Sequence, residues 1–311
     1  WSGKDSEAIT ALELAVKFKP EFVPAWNTLS VVYRQSNQLD KALVAINAAI
    51  RLEPNNPNLY NEKDVVLSNL KKYKEAAAAI NKAIELSPRA AFYYNRGIVR
   101  KELGDKQGAI DDYTQAIKIN PNYAQAYYNR GNVRDDLGDK QGAIDDYNQA
   151  IKINPNYAQA YNNRGNVRYD LGDKQGAIDD YTQAIKFNPN LALAYYNRGI
   201  VRDDLGDKQG AIDDYTQALK INPNLAQAYY NRGLAKAQSG DNLGALADFN
   251  EVIKINPNDA NAYYVRGIVR NELGDKQGAI DDFQQAAKLY QQQGKNEDYQ
   301  DALNRIRKLQ Q

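Results

Sequence analysis

Residues 124–157 read AQAYYNRGNVRDDLGDKQGAIDDYNQAIKINPNY, and close variants of this segment recur at a fixed step of 34 residues. Self-similarity at that step argues against an ordinary single-core globule, because a unit this short cannot bury its apolar face alone and has to stack on its neighbours. Two amphipathic stretches lie within the unit, Ala126 to Leu137 and Lys140 to Ile153, separated by Gly138-Asp139 and closed by Asn154-Pro155. The expected element is a helical hairpin with a tight turn, followed by a stop. With Ala124 as position 1, Gly131 (position 8) and Ala143 (20) put almost no side chain where two helices approach, and Tyr147 (24) and Ala150 (27) share a face with Ala143. All four are expected core residues.

The same frame can be laid over the whole chain. Residues 1–22 fit only a second half-unit, with Ala8, Leu12, Ala15 and Pro20 in the places of Ala143, Tyr147, Ala150 and Pro155, so a lone helix is expected from Asp5 to Phe18. Residues 23–56 form the first full unit, with Trp26, Leu29, Ser30, Tyr33, Ala42, Ile46, Ala49 and Pro54 in phase. The next, 57–89, is one residue short and carries Asp64 at the close-approach position, which is expected to loosen or shift its first helix unless the carboxyl finds water or a partner. Six nearly uniform units follow, 90–123, 124–157, 158–191, 192–225, 226–259 and 260–293, marked by Gly97, Gly131, Gly165, Gly199, Gly233 and Gly267. The last lacks the closing Asn-Pro, and 294–311 offers one more helix with Tyr299, Leu303, Ile306 and Leu309 on its apolar side, the cap that an open array requires. Asp105 and its equivalents are expected to cap the second helices.

The 34-residue step, with Tyr127, Gly131, Ala143, Tyr147, Ala150 and Pro155 at positions 4, 8, 20, 24, 27 and 32, resembles the tetratricopeptide repeat family. The resemblance covers almost all of the chain. It implies an all-α, right-handed superhelical solenoid of antiparallel helix pairs: eight full repeats, a leading helix and a C-terminal capping helix, forming a single solenoid over 1–311.

Composition narrows the chemistry. Lys plus Arg is 40 and Asp plus Glu is 39, so no net field draws nucleic acid or an anionic membrane over long range. Cysteine, histidine and methionine are absent, which removes thiol nucleophiles, imidazole acid/base chemistry and the usual zinc ligands. No glycine-rich phosphate loop or nucleophile elbow occurs, and regularly phased acids single out no carboxylate pair. The expectations are no enzyme, no metal and no cofactor. No run approaches the roughly 20 apolar residues of a membrane span, and no signal peptide is recognisable, so a soluble protein without direct membrane insertion is expected, its compartment open. The beginning at Trp1, inside a repeat, reads as a portion of a longer protein.

Two polar columns recur. Arg96, Arg130, Arg164, Arg198, Arg232 and Arg266 occupy position 7, and Arg100, Arg134, Arg168, Arg202, Lys236 and Arg270 position 11. Acidic pairs such as Asp145-Asp146 recur in the second helices, so helix-to-helix or repeat-to-repeat ion pairs are expected, with phosphate binding by the Arg column as the alternative.

In the resembled family, positions 2, 5, 6, 9, 12 and 13 tend to face the concave wall. Carried over residue by residue, the resemblance implies a peptide-binding column of Tyr94, Asn95, Tyr128, Asn129, Asn132, Asn163, Asn166, Tyr196, Asn197, Tyr230 and Asn231, beside an acidic wall of Glu102, Asp135, Asp136, Asp170, Asp203 and Asp204. A carboxamide can donate to a peptide carbonyl and accept from its amide, so an Asn ladder can hold an extended backbone, with tyrosines adding amphipathic contact. The alternative is that each Asn bonds within its own repeat. The acids favour a basic partner segment. The family's clamp for a terminal carboxylate has no counterpart here, since position 5 is Tyr or Asn and position 6 lacks Arg. The function expected is a non-catalytic scaffold binding extended peptides or partner proteins, not nucleic acid. The alternative is a structural spacer or a homo-oligomer held through the N-terminal helix, whose apolar face is expected on Ala8, Leu12 and Ala15.

Overall fold

A short turn chemistry, repeated, sets the architecture. In each uniform repeat the first helix ends at a glycine in the left-handed region, such as Gly138 at φ 85°. The following aspartate then caps the second helix, Asp139 Oδ1 accepting from the Gly142 amide at 3.0 Å. The glycine reverses the chain and the carboxylate satisfies an amide that helix geometry leaves open.

The computed structural model describes residues 2–311, with side chains from Ser6 onward, and Trp1 lies outside the described residues. The chain divides into two compact units, one ending at Pro155 and the other beginning at Asn156. In the first, α1 (Ser2–Phe18) precedes the pairs α2 (Val23–Gln35) and α3 (Leu39–Leu52), α4 (Pro57–Asn69) and α5 (Tyr73–Leu86), α6 (Ala90–Glu102) and α7 (Lys106–Ile119), and α8 (Ala124–Asp136) and α9 (Lys140–Ile153). In the second, the pairs are α10 (Ala158–Asp170) and α11 (Lys174–Phe187), α12 (Ala192–Asp204) and α13 (Lys208–Ile221), α14 (Ala226–Gln238) and α15 (Asn242–Ile255), and α16 (Ala260–Glu272) and α17 (Lys276–Gln292), before a final α18 (Asn296–Gln310). No strand occurs among the described residues. Within each unit, the helices of a pair pack on each other and on the adjoining pair.

The core runs along the inside of the pairs. Ala143, Tyr147 and Ala150 are fully buried, as are their counterparts Ala109, Tyr113 and Ala116. Close approach at position 8 is real: a Cβ on Gly97 would lie 2.6 Å from the Tyr113 ring, and one on Gly131 would lie 2.9 Å from that of Tyr147. At the C-terminal end, Tyr299 and Leu303 of α18 pack on Ala286, Leu289 and Tyr290 of α17, which runs on to Gln292 as its missing Asn-Pro stop permits.

Two local expectations are corrected. Asp64 leaves α4 at its full 13 residues, and its carboxylate is buried at 2 % exposure with Ser68 Oγ, 3.5 Å away, as its donor. On α1, Leu12 and Ala15 pack against the cluster around Ala25 and Leu29, so the apolar side chains left in solvent are Leu14 and Phe18 instead, Phe18 being 82 % exposed.

Candidate functional site

The first helices carry the expected binding residues at two helical steps, positions 5 and 6, beside the buried ring at position 24. Each position-5 tyrosine lies against that ring: Tyr94 on Tyr113 with centroids 5.9 Å apart, Tyr128 on Tyr147 at 6.1 Å, Tyr196 on Tyr215 at 6.0 Å and Tyr230 on Phe249 at 5.8 Å. This packing half-buries them, and loss of solvent raises the phenol pKa of Tyr94, Tyr196 and Tyr230. They therefore present neutral hydroxyls.

The position-6 asparagines form a ladder, but its rungs run between repeats. Asn129 Nδ2 donates to Tyr94 Oη at 2.9 Å, Asn231 Nδ2 to Tyr196 Oη at 3.3 Å, and Asn95 Nδ2 to Asn61 Oδ1 at 2.8 Å. Asn197 Nδ2 reaches Asn162 Oδ1 at 3.3 Å and Asn166 Oδ1 at 3.0 Å, while Asn163 Oδ1 accepts from Asn162. In the rungs from Asn95, Asn129, Asn197 and Asn231, position 6 of one repeat is tied to position 5 of the one before. The Asn162–Asn163 bond lies inside one repeat, as the second expectation has it, while the bonds between repeats add to both expectations.

Asn132 and Asn166 at position 9 serve the core as well, accepting from Tyr147 Oη at 2.8 Å and Tyr181 Oη at 2.9 Å. Where position 9 is apolar, two repeats change the ring to match, Leu234 and Ile268 going with Phe249 and Phe283, while Ile98 and Ile200 keep Tyr113 and Tyr215. Tyr113 faces Ile98 in that register, and its buried hydroxyl has no partner.

The acidic wall is shared with lysines at position 17 that the sequence reading did not include. Asp135 pairs with Lys140 at 2.6 Å and Asp203 with Lys208 at 2.7 Å. Asp204 lies 3.5 Å from Lys174 and accepts from Tyr169 Oη at 2.5 Å, and Asp136 is 4.0 Å from Lys106 of the preceding repeat. The Asp204 carboxylate pushes the Tyr169 phenol up to about 12. Glu102 and Asp170 are exposed. Lysines thus stand within 4.0 Å of four of the six wall carboxylates, and the signal that could have shown it was the recurring Lys directly after each turn.

Two openings gather the expected residues. One, of about 210 Å³, is lined by Tyr196, Gln227, Tyr230 and Asn231 with Asp259 and Asn261. The other, of about 190 Å³, is lined by Asn166, Tyr169, Asp170, Tyr181, Asn197 and Ile200. Each offers amide donors, carbonyl acceptors, a carboxylate and aromatic or aliphatic wall, which suits a peptide backbone with one side chain.

The Arg column is occupied elsewhere. Arg130 forks onto Asp146 with Nε–Oδ2 2.9 Å and Nη2–Oδ1 2.6 Å, and Arg134 Nη1 bonds the same carboxylate at 3.0 Å. The other five uniform repeats repeat this, with Lys236 replacing the second arginine at 2.9 Å from Asp248. One face and the N–H edges of the position-7 guanidinium are committed, since Arg130 also stacks on Tyr127 at 5.6 Å and donates to Thr114 Oγ1 at 2.9 Å. Ion pairing, not phosphate binding, accounts for the column. Position 22 stands apart, Asp145 accepting from Gln141 at the surface.

No group of His, Cys, Asp or Glu among the described residues is arranged to hold a metal ion, and no described helix is long and apolar enough to cross a membrane.

Profiles of the tetratricopeptide repeat match residues 23–56, 65–89, 124–157, 146–179, 192–225 and 230–294, and TPR repeat profiles match 99–138 and 165–206. Among curated proteins none matches. Among solved structures, a MamA protein is 29% identical over 55% of this chain and 94% of its own, with a TM-score of 0.50. YrrB, described as a TPR protein with an unusual peptide-binding site, is 24% identical over 61% of this chain and 98% of its own, at a TM-score of 0.52. A tetratricopeptide repeat protein from Parabacteroides merdae is 22% identical, covers 79% of this chain and 98% of its own, and gives a TM-score of 0.57.

Proposed function

The chain belongs to the tetratricopeptide repeat family, and from that premise we propose that it is a non-catalytic scaffold that binds extended protein segments along the face of its first helices. Such arrays are typically scaffolds, and six similar repeats suit a long segment held by many weak contacts. The observation that carries the reading is the convergence of Tyr196, Tyr230 and Asn231 on one opening and of Asn166, Asn197 and Asp170 on another, all in residues 156–311. Asparagines already tied between repeats, such as Asn129 and Asn231, are pre-positioned, so little side-chain freedom is lost on binding.

Asp170 and Asp259 line the two openings, so a basic side chain of the guest would meet a carboxylate in each. Displayed random peptides selected on the whole chain, then retested on Gln227→Trp and Ile200→Trp, check the reading. Tryptophan at either position fills one opening without removing a rung, so peptides that bind both variants as tightly as the parent would place the site on another face.

A second reading, self-association through α1, is favoured by the exposure of Leu14 and Phe18. Sedimentation of the chain against Leu14→Lys with Phe18→Lys separates the two, since a dimer built on that face should become a monomer.

A further inference from the structure

The groove between consecutive second helices, floored by a first helix, is filled in the uniform repeats by the chain's own arginine. At position 7 the guanidinium of Arg130 stacks on the position-4 ring of Tyr127, forks onto Asp146 at position 23, and donates to Thr114 at position 25 of the preceding repeat. Arg198 and Arg232 repeat all three contacts.

Residues 23–56 keep the receptor and lack the cation. Position 4 is Trp26, whose indole is the strongest of the aromatic cation acceptors, and position 25 of the preceding helix is Glu13, a carboxylate where other repeats have Thr, Asn or Gln. Position 7 is Leu29 and position 23 is Ala45, so nothing from the repeat itself enters. A cavity of about 390 Å³ remains, walled by Val16, Trp26, Leu29 and Val44, with Glu13 and Asp40 against a lone Lys41 at its edge. One oxygen of Glu13 accepts from Tyr33 Oη, and the other has no partner among the described residues. Lys41 already stands 5.4 Å over the Tyr33 ring, a cation on an aromatic face inside the same groove. The neighbouring repeat is the internal contrast: its groove holds a cavity of about 330 Å³, but Lys63 at position 7 supplies a cation beside Tyr60.

The geometry points to the cavity over Leu29 as a receptor for an arginine side chain presented by a partner protein, with the guanidinium between Trp26 and Glu13 and the methylenes along Val16 and Leu29. Arginine fits better than lysine because a planar fork can stack and bond at once, and its stem is content on apolar wall. The surplus carboxylate at the rim gives the site the sign to attract it. This groove lies between second helices and is separate from the first-helix face proposed above.

The chain contains two tryptophans, Trp1 and Trp26, so Trp1→Phe makes indole emission report on this cavity. In that background the full chain is titrated at low salt with the end-blocked peptide Gly-Leu-Arg-Leu-Gly and with its citrulline counterpart, which has the same shape and no charge. The expected result is a saturable change in Trp26 emission with the arginine peptide and binding at least about tenfold weaker for citrulline. Glu13→Gln, a surface change that leaves an acceptor for Tyr33, should remove most of that preference. Leu29→Arg with Ala45→Asp installs the arrangement of the later repeats and should abolish the signal while helical circular dichroism is retained. Equal binding of the two peptides, an unchanged preference in Glu13→Gln, or no saturation up to about 10 mM peptide would overturn the assignment.

Discussion

Tyr113 and Tyr147 occupy one position in adjacent repeats and differ in a single bond. Tyr147 donates to Asn132, and Tyr113 faces Ile98 and donates to nothing. A buried hydroxyl left unpaired costs free energy, and a paired one returns about 1 kcal/mol net. Tyr147→Phe should therefore destabilise by about 1 kcal/mol, while Tyr113→Phe is neutral or stabilising, as read from urea midpoints. The sequence shows its own precedent in Phe249 and Phe283, which stand where position 9 is aliphatic. Asp64 is the other residue whose environment predicts a measurable. Burial pushes its carboxyl up from 3.8 to about 7, with the bond from Ser68 a smaller opposing effect, and no Lys or Arg among the described residues forms an ion pair with it. The folded state thus holds a proton that the unfolded chain releases. Its contribution is fully present below pH 3.8 and is lost as pH rises to about 7. Linkage puts the loss at roughly 4 kcal/mol. Asp64→Gly, the residue of the later repeats, should flatten the stability profile between those limits; an identical slope in the variant would show that the carboxyl is not the titrating group.

At the scale of the element, each second helix begins on one carboxylate and one glycine that need each other. A Cβ on Gly142 would lie 2.1 Å from Asp139 Oδ2, so alanine there displaces the cap that Asp139 provides. Asp139→Ala and Gly142→Ala should each cost about 1 kcal/mol, and the double variant well under the sum, because both remove the same bond. Thermal or urea unfolding of the three variants measures this. These elements were legible in the residues: α9 occupies Lys140–Ile153 as its periodicity and turn predict, and α18 ends one residue before the expected Gln311. The candidate site was less so. Position along a helix places Asn129 on a face, but the partner it meets belongs to the next repeat back, and the step between repeats is not written in the local pattern. For the same reason the Asp column could be counted while Lys106 and Lys140, which answer it, were left among ordinary surface charges.

Across the whole molecule the recurrent expense is burial of Asp112, Asp146, Asp180, Asp214, Asp248 and Asp282, each under 4 % exposed and each held by two cations. Such clusters are costly to desolvate, and in the first repeat the apolar residues Leu29, Tyr33 and Ala45 stand in the same places. Removing one partner is another matter: Asp214→Ala leaves two guanidinium groups uncompensated and should destabilise by about 3–5 kcal/mol. Because helices touch only near neighbours, that loss should be felt locally, with hydrogen exchange accelerating around α12 and α13 while the amides of α6 and α7 keep their protection. The arginine at position 7 joins three things at once, its own second helix, its own first-helix ring and the hydroxyl or amide one repeat back. Within residues 156–311 the copies offer the same socket behind and the same plug in front, so they are interchangeable at the joint. Excision of 192–225 would bring Arg232 to Thr182, a contact of the kind it already makes with Thr216, and sacrifice the contacts of Tyr169 and Lys174 with Asp204. The array can therefore lengthen or shorten by whole copies without inventing a new junction, whereas 23–56 and 57–89, which lack the arginine, are fixed in place.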